Sequence, residues 1–465
     1  MKIHFIGIGG IGVSALAKYY LEKGHKVSGS DLVCSEITDA LKKQGVKIII
    51  GKHKAENLPQ NIDMAIYSPA VQSSNPEFKK AQKLKIVNCK LKIKSYPEAL
   101  GELTKKYLTI AVAGTHGKSS TTSMLGLLLL RAGFDPTVIV GTKVKEFVPP
   151  ADGSNCRVGK PIRQAQGEVQ FLVIEADEHF ASFLNYWPKI IVLTAIEADH
   201  LDYYKNFKNY ISAFKKFVSH LPKDGLLIAN QNDKNIKKII SNFQFLISKK
   251  ISIKKYSLRQ PEAKKLKKIL KVPGEHNISN ALAALAVARV LKIPDKVSFK
   301  ALSEYRGCWR RFDEKNIKLK NKSLKLINDY GHHPTEVKVT LKAVREKYKK
   351  EKICCVYQPH QYQRTHYLFK DFIEVFKESA TKKWIDKLII TDVYDVAGRE
   401  EKKIKEKVNS QKLVEAVNKS NVIYLPKEKI IDYLKESLKD EKVLIIMGAG
   451  DIYELNSKLK SRISK

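Results

Sequence analysis

The run Gly114-Thr115-His116-Gly117-Lys118-Ser119 stands between an apolar stretch, Leu108-Thr109-Ile110-Ala111-Val112-Ala113, and a helical pattern from Ser119 to Leu130. Strand, glycine turn and helix in that order aim backbone N–H groups and a helix N-terminus at one point, an arrangement that favours an anion. Lys118 can reach terminal phosphates, and the Ser119 hydroxyl can ligate Mg²⁺. The general form GxxxxGK[ST] has glycine at position 112, where this chain has Val112, so the loop is a variant. The rival is an ordinary strand–helix turn with a chance Gly-Lys pair; strand, turn and helix in register argue against it.

Around that loop the chain reads as α/β throughout. A first block opens with Lys2-Ile3-His4-Phe5-Ile6, then Gly7-Ile8-Gly9-Gly10-Ile11-Gly12 and a helical pattern through Leu21. Strands follow at 27–31, ending in Asp31, and at 47–50 and 64–67. The second block carries the phosphate loop and further strands at 171–174 and 190–195. The third has strands at 324–327, 353–357, 388–391 and 443–447. Alternating strands and helices mean doubly wound, mostly parallel sheets. At 465 residues, about two to four domains are expected, and the three blocks set them at 1–106, 107–307 and 308–465. The polar stretch 157–167 reads as a loop.

A metal–phosphate site also needs carboxylates at neighbouring strand ends, where α/β sheets gather ligand groups. Two runs qualify: Glu175-Ala176-Asp177-Glu178, and Glu197-Ala198-Asp199-His200-Leu201-Asp202. Mg²⁺ takes oxygen ligands and keeps several waters.

Composition excludes several classes. Hydrophobic residues are 43% of the chain, enough for packed cores. No run of about 18 apolar residues is present, which argues against a membrane span, and residues 1–12 lack the basic leader and cleavage site of a secretory signal. The six cysteines form no CxxC pair, so neither a zinc cluster nor a disulfide scaffold is expected; a reducing cytoplasm fits. The net charge of +37 invites a nucleic-acid reading. However, 73 of the 85 basic residues are lysines scattered from Lys2 to Lys465, the pattern of a compositional bias with solvated side chains. The 12 arginines are then informative, because arginine supplies a rigid bidentate fork. Three fall together in Tyr305-Arg306-Gly307-Cys308-Trp309-Arg310-Arg311, at the junction of the second and third blocks.

In order along the chain, the phosphate loop, the two acidic runs and Gly274-Glu275-His276-Asn277-Ile278-Ser279-Asn280-Ala281 resemble the Mur ligases of peptidoglycan synthesis. The glycine run 7–12, Asp329-Tyr330-Gly331-His332-His333-Pro334-Thr335-Glu336, Gln358-Pro359-His360 with Arg364-Thr365, and Gly448-Ala449-Gly450-Asp451 look like the alanine-adding type. The resemblance spans nearly the whole chain. It implies an N-terminal Rossmann-like domain for a UDP-sugar, a central P-loop ATPase-like parallel sheet, and a C-terminal Rossmann-like domain for the amino acid. The implied activity is ATP-dependent joining of L-alanine to the carboxylate of UDP-N-acetylmuramate through an acyl phosphate, in the cytoplasm, by a monomer or homodimer with no nucleic-acid or membrane partner.

The same resemblance implies residue roles. Lys118, Glu175 and His200 would be catalytic. Gly114, Thr115, His116, Gly117, Lys118, Ser119, Ser120, Asn277, Arg311 and Asp329 would hold ATP. Ser119, Glu175 and His200 would hold Mg²⁺. Gly9, Gly10, Ile11, Asp31 and Ser68 would meet the UDP-sugar, and Tyr330, His332 and Arg364 the incoming amino acid. Forming an amide in water is uphill, and phosphate clamps with a metal suit ATP activation of a carboxylate.

The chain departs from the family pattern at four places. Ala195 stands where asparagine is usual, Gln361 where arginine is frequent, and His179-Phe180 where a Ser-Asp or Tyr-Asp pair is common; residues 395–400 replace a shorter proline-containing turn. Three rivals are set beside this reading. A dehydrogenase would use the glycine run with Asp31 but leaves the phosphate loop unexplained. A nucleic-acid-binding ATPase would show stimulated ATP turnover. A ligase recycling murein peptides, or a Mur ligase with altered amino-acid preference, shares the motifs in part.

Overall fold

The computed structural model describes residues 1–147, 153–164, 167–241, 248, 250–319, 322–396, 402–437 and 442–463. The chain folds as two compact units. The first holds 1–198, 206–269 and 279–305; the second holds 199–205, 270–278 and 306–465.

The first unit contains two large sheets. Strands β1 (Lys2–Ile6), β2 (Lys26–Asp31), β3 (Lys47–Ile50), β4 (Met64–Tyr67) and β5 (Lys92–Ser95) form an all-parallel sheet in the order β3-β2-β1-β4-β5. The chain reverses direction of winding at β1, between β2 and β4, so the crevice beyond its carboxyl end is where such a sheet takes a ligand. The glycine run lies there and leads into helix Ile11–Glu22.

The second sheet is made of β6 (Leu108–Ala113), β7 (Thr137–Val144), β8 (Ser154–Arg157), β11 (Phe171–Ala176), β12 (Ile190–Leu193), β13 (Leu226–Asn230) and β14 (Ser252–Tyr256). Their order is β14-β13-β12-β6-β11-β7-β8. All pairs are parallel except β7 with β8. Strand β6 is buried along Thr109–Ala113, which explains its unbroken apolar sequence. The helix that follows, Lys118–Arg131, buries ten of its residues, from Ser119 to Leu129, because neighbours cover it on nearly every side. Helix Ile11–Glu22 of the first sheet packs against β7 and β8.

The stretch expected as a loop at 157–167 differs. Short strands β9 (Ile162–Gln164) and β10 (Gly167–Val169) pair antiparallel, Ile162 opposite Val169. Three residues are too few to show an alternation in sequence. The strand expected at 190–195 stops at Leu193, since Thr194 turns its hydroxyl onto the His116 and Ala113 carbonyls.

The second unit is built on one sheet. Its strands are β15 (Asp313–Leu319), β16 (Lys322–Asp329), β17 (Ile353–Tyr357), β18 (Lys387–Ile390), β19 (Val422–Tyr424) and β20 (Val443–Met447). They lie in the order β15-β16-β20-β17-β18-β19, parallel except for β15 with β16. Side chains alternate between two cores. Cys355, Tyr357, Ile445 and Met447 face one with Val337, Leu341, Phe372 and Phe376; Cys354, Val356, Leu444 and Ile446 face the other with Ile430, Leu434 and Leu455. The adjacent cysteines are therefore core residues on opposite faces, and both are free thiols. Of the turn 395–400, residues 397–400 lie outside the described residues.

Candidate functional site

The loop after β6 is shaped by two glycines. Gly114 has φ +143°, and a Cβ there would lie 2.2 Å from Thr194 Oγ1 and 2.8 Å from the Ala195 carbonyl. Gly117 has φ +80° and precedes helix Lys118–Arg131; a Cβ would lie 2.4 Å from Asn280 Oδ1. Both positions therefore need glycine. Thr115 fixes the loop to the next strand end: its amide donates to the Ala195 carbonyl at 2.7 Å, and its hydroxyl meets Tyr210 at 2.8 Å. His116 Nε2 lies 3.3 Å from Glu197 Oε2. Ser120 is half-buried in the first turn of the helix.

Lys118 folds back over the loop, donating to the Gly114 carbonyl at 2.7 Å and to both Glu178 oxygens at 3.0 and 2.8 Å. Burial alone would lower the lysine pKa, but Glu178, Asp177 and Glu175 outweigh it and raise it. Burial pushes Glu178 up to about 7, with Lys118 acting against that rise. The Ser119 hydroxyl donates to Glu175 Oε1 at 2.9 Å, and Gly141 N–H donates to Glu175 Oε2 at 2.8 Å. Serine and carboxylate oxygens thus converge at a helix N-terminus beside a lysine. That donor set fits a hard, oxygen-seeking cation such as Mg²⁺.

At the end of β1, Gly9 N–H donates to Asp31 Oδ2 at 2.7 Å, and Val33 N–H meets Oδ1 at 3.3 Å. Asp31 therefore braces the glycine run through backbone amides. A Cβ on Gly7 would stand 3.0 Å from Ser68 Cβ, so that loop and the end of β4 are in contact. Gly10 precedes the first turn of helix Ile11–Glu22, which contains no acidic residue.

The second unit gathers its polar groups at the carboxyl ends of β16, β17 and β20. Arg364 Nε donates to Asp199 Oδ1 at 3.1 Å, with 6% and 7% of the two side chains exposed. Burial would raise Asp199, yet Arg364, His200, His332 and His333 together hold it well below the carboxylate range. His200 has φ +52°, and its ring lies 3.7 Å from Asp199 Oδ2. Glu336 receives Arg311 at 3.2 Å and the His332 ring at 3.2 Å. Burial lowers His332 to about 4, against the pull of Glu336. Tyr330 lies under Arg310 and Arg311, 4.9 and 5.0 Å from the ring centroid. Asp329 is raised by burial and accepts from the Phe312 and Gly331 amides, so its carboxylate shapes this segment. Asn277 donates to the Pro273 carbonyl at 2.7 Å. Gln361 is buried at φ +69°, where its amide donates to the Tyr394 carbonyl.

Within the first unit the residues expected from sequence at the phosphate loop do come together. His200, Asn277, Arg311, Asp329, Tyr330, His332 and Arg364 belong to the second unit. Sequence reasoning missed Glu178, Asp199 and Glu336 as partners. Glu178 and Asp199 stood in the acidic runs and Glu336 closed the run that begins at Asp329, but nothing in the spacing marked their partners.

Comparison with known proteins matches three family domains along the chain: the Mur ligase family catalytic domain at residues 2–108, the Mur ligase middle domain at 112–288, and the Mur ligase glutamate ligase domain at 310–450. The chain belongs to the Mur ligase family. Among curated Mur ligases, the UDP-N-acetylmuramate–L-alanine ligase of Clostridium acetobutylicum is 39% identical, covering 99% of this chain and 98% of that one. The enzyme of the same name from Clostridium tetani is 40% identical over 97% and 96% of the two chains. Among solved Mur ligase structures, the UDP-N-acetylmuramate-alanine ligase MurC of Thermotoga maritima superposes with a TM-score of 0.75 at 26% identity, covering 99% of each chain. A murein peptide ligase of Psychrobacter arcticus shares the fold, with a TM-score of 0.71 at 21% identity, covering 100% of this chain and 99% of that one.

Proposed function

We propose that this Mur ligase joins L-alanine to the lactyl carboxylate of UDP-N-acetylmuramate with cleavage of ATP to ADP and phosphate, a step of peptidoglycan precursor synthesis. The observation that carries the reading is full-length likeness to ligases of that name together with the Lys118, Ser119 and Glu175 cluster on the variant phosphate loop. The domain reading of 1–106 for the UDP-sugar, 107–307 for ATP and 308–465 for the amino acid is part of the proposal.

The chemistry has two steps. A carboxylate oxygen attacks the γ-phosphorus and ADP leaves, giving an acyl phosphate; the alanine amine then attacks the acyl carbon and phosphate leaves with that oxygen. The chain's part is positioning and charge neutralisation. Loop amides and the helix N-terminus cradle the phosphates, and Lys118 meets the terminal one. Bound Mg²⁺ would neutralise charge on the phosphate oxygens, held by Ser119 and Glu175; His200 joins that set on the family resemblance alone. Asn277, Arg311 and Asp329 for ATP, Gly9, Gly10, Ile11, Asp31 and Ser68 for the UDP-sugar, and Tyr330, His332 and Arg364 for the amino acid complete the assignment.

No helix among the described residues is long and apolar enough to cross a membrane. The test is phosphate release from ATP with UDP-N-acetylmuramate against a panel of amino acids and peptides. The reading expects turnover with L-alanine, and L-serine or glycine as weaker substrates. Turnover with a murein peptide and none with L-alanine contradicts it.

A further inference from the structure

Strand β7 carries contacts to both Glu175 and helix Glu36–Lys43. At Gly141 its amide holds Glu175, the carboxylate that also receives Ser119. Two residues on, about 7 Å along the strand, Lys143 is 7% exposed, and its ammonium lies 3.3 Å from Glu36 Oε2. Glu36 opens helix Glu36–Lys43, whose Thr38 stands against the glycine run: a Cβ on Gly9 would be 3.1 Å from Thr38 Cγ2. Lys143 is therefore placed between the glycine run and the Ser119–Glu175 pair.

The ion pair is asymmetric. The Lys143 side chain is 8% exposed and that of Glu36 is 65% exposed. The carboxylate can turn into water at little cost, whereas the buried ammonium needs an anion beside it. Other groups line the same region. Tyr96 lies against the first turn of helix Ile11–Glu22, since a Cβ on Gly12 would be 3.0 Å from its hydroxyl. Asn155, on β8, donates to the Ile11 carbonyl at 2.6 Å, and its own Oδ1 is buried with no donor among the described residues. A buried cation, an open helix N-terminus and an unused acceptor are suited to a ligand carrying both anionic oxygens and N–H or O–H donors.

We propose that Lys143 is a binding residue for the UDP-sugar, its ammonium taking an anionic group of that substrate in exchange for Glu36. The inference rests on the ligase reading. Two groups of the substrate carry the required oxygens, the diphosphate and the lactyl carboxylate.

Calorimetric titration of wild type, Lys143→Met and Glu36→Gln with UDP, UDP-N-acetylglucosamine and UDP-N-acetylmuramate separates them. Lys143→Met is expected to weaken UDP-N-acetylmuramate by about ten- to a hundredfold, the worth of one charge-assisted contact. A loss confined to that ligand assigns the contact to the carboxylate; an equal loss for all three assigns it to the diphosphate. Glu36→Gln removes the charge of the carboxylate paired with Lys143 and is expected to tighten whichever ligands Lys143→Met weakens. If Lys143→Met does not fold, Glu36→Gln decides by itself: tighter UDP-N-acetylmuramate binding supports the proposal, and unchanged binding overturns it. Wild-type affinity in a folded Lys143→Met for all three ligands overturns it too. A wild type that binds none of the three overturns the ligase reading itself.

Discussion

The Lys118 ammonium lies 2.8 Å from Glu178 Oε2, so the cation assigned to the terminal phosphate is already paired with a buried carboxylate. ATP binding must draw Lys118 away from that partner. Glu178 titrates near neutrality, raised by burial to about 7, and competes for the lysine only when ionised. Glu178→Gln is therefore expected to lower the KM for ATP by about tenfold at pH 8 and to make little difference at pH 6. Comparing variant with wild type cancels the titration of ATP itself. A KM ratio that does not change with pH would contradict this competition.

That pairing marks where the sequence was readable. The loop and Glu175 were legible because each is a local signal: a glycine spacing, and an acid ending an apolar run. Strands such as β6 and β17 were legible because burial on both faces makes them continuously apolar. The lysine-bearing strands Lys92–Ser95 and Ser252–Tyr256 carry no such run, and the Ile162–Gln164 ribbon is too short to alternate. The pairs Lys118–Glu178 and Asp199–Arg364 join positions 60 and 165 residues apart. Contacts of that range have no periodic signature; they follow from which strand ends the sheet order brings together.

Asp199 and Arg364 form a nearly dry ion pair. Asp199→Asn leaves the guanidinium buried without its carboxylate, and a loss of about 3–5 kcal/mol is expected. The folded pKa of Asp199 is depressed, so the pair's contribution is complete above the ordinary carboxylate range and is lost as pH falls through the depressed value. Thermal melting should show a lower Tm for the variant at pH 7, with the gap closing only below about pH 4.

Gly114→Ala places a methyl group 2.2 Å from Thr194 Oγ1 and against the Ala195 carbonyl, at a φ that side chains rarely adopt. Nucleotide binding should fall at least about a hundredfold, since the loop must move to relieve the clash. The glycine run of the first sheet is untouched, so UDP-N-acetylmuramate affinity should stay within about twofold. Loss of both would place the two substrates in one coupled site.

The family resemblance implies an arginine at the position of Gln361, and Arg364 already has Asp199 as its partner. Gln361→Arg is expected to lower the KM for L-alanine by about tenfold or more, with the KM for ATP unchanged. No change in the alanine constant, for both this variant and Arg364→Ala, would mean that the segment does not hold the amino acid.

In the proposed reaction ATP activates the carboxylate of UDP-N-acetylmuramate for attack by L-alanine. The most direct measurement labels both carboxylate oxygens of that substrate with ¹⁸O and follows the released phosphate by mass. One labelled oxygen is expected in each phosphate, formed together with one UDP-N-acetylmuramoyl-L-alanine. Unlabelled phosphate released alongside the same product would contradict the acyl phosphate, and phosphate released without an alanine adduct would contradict the ligase reading.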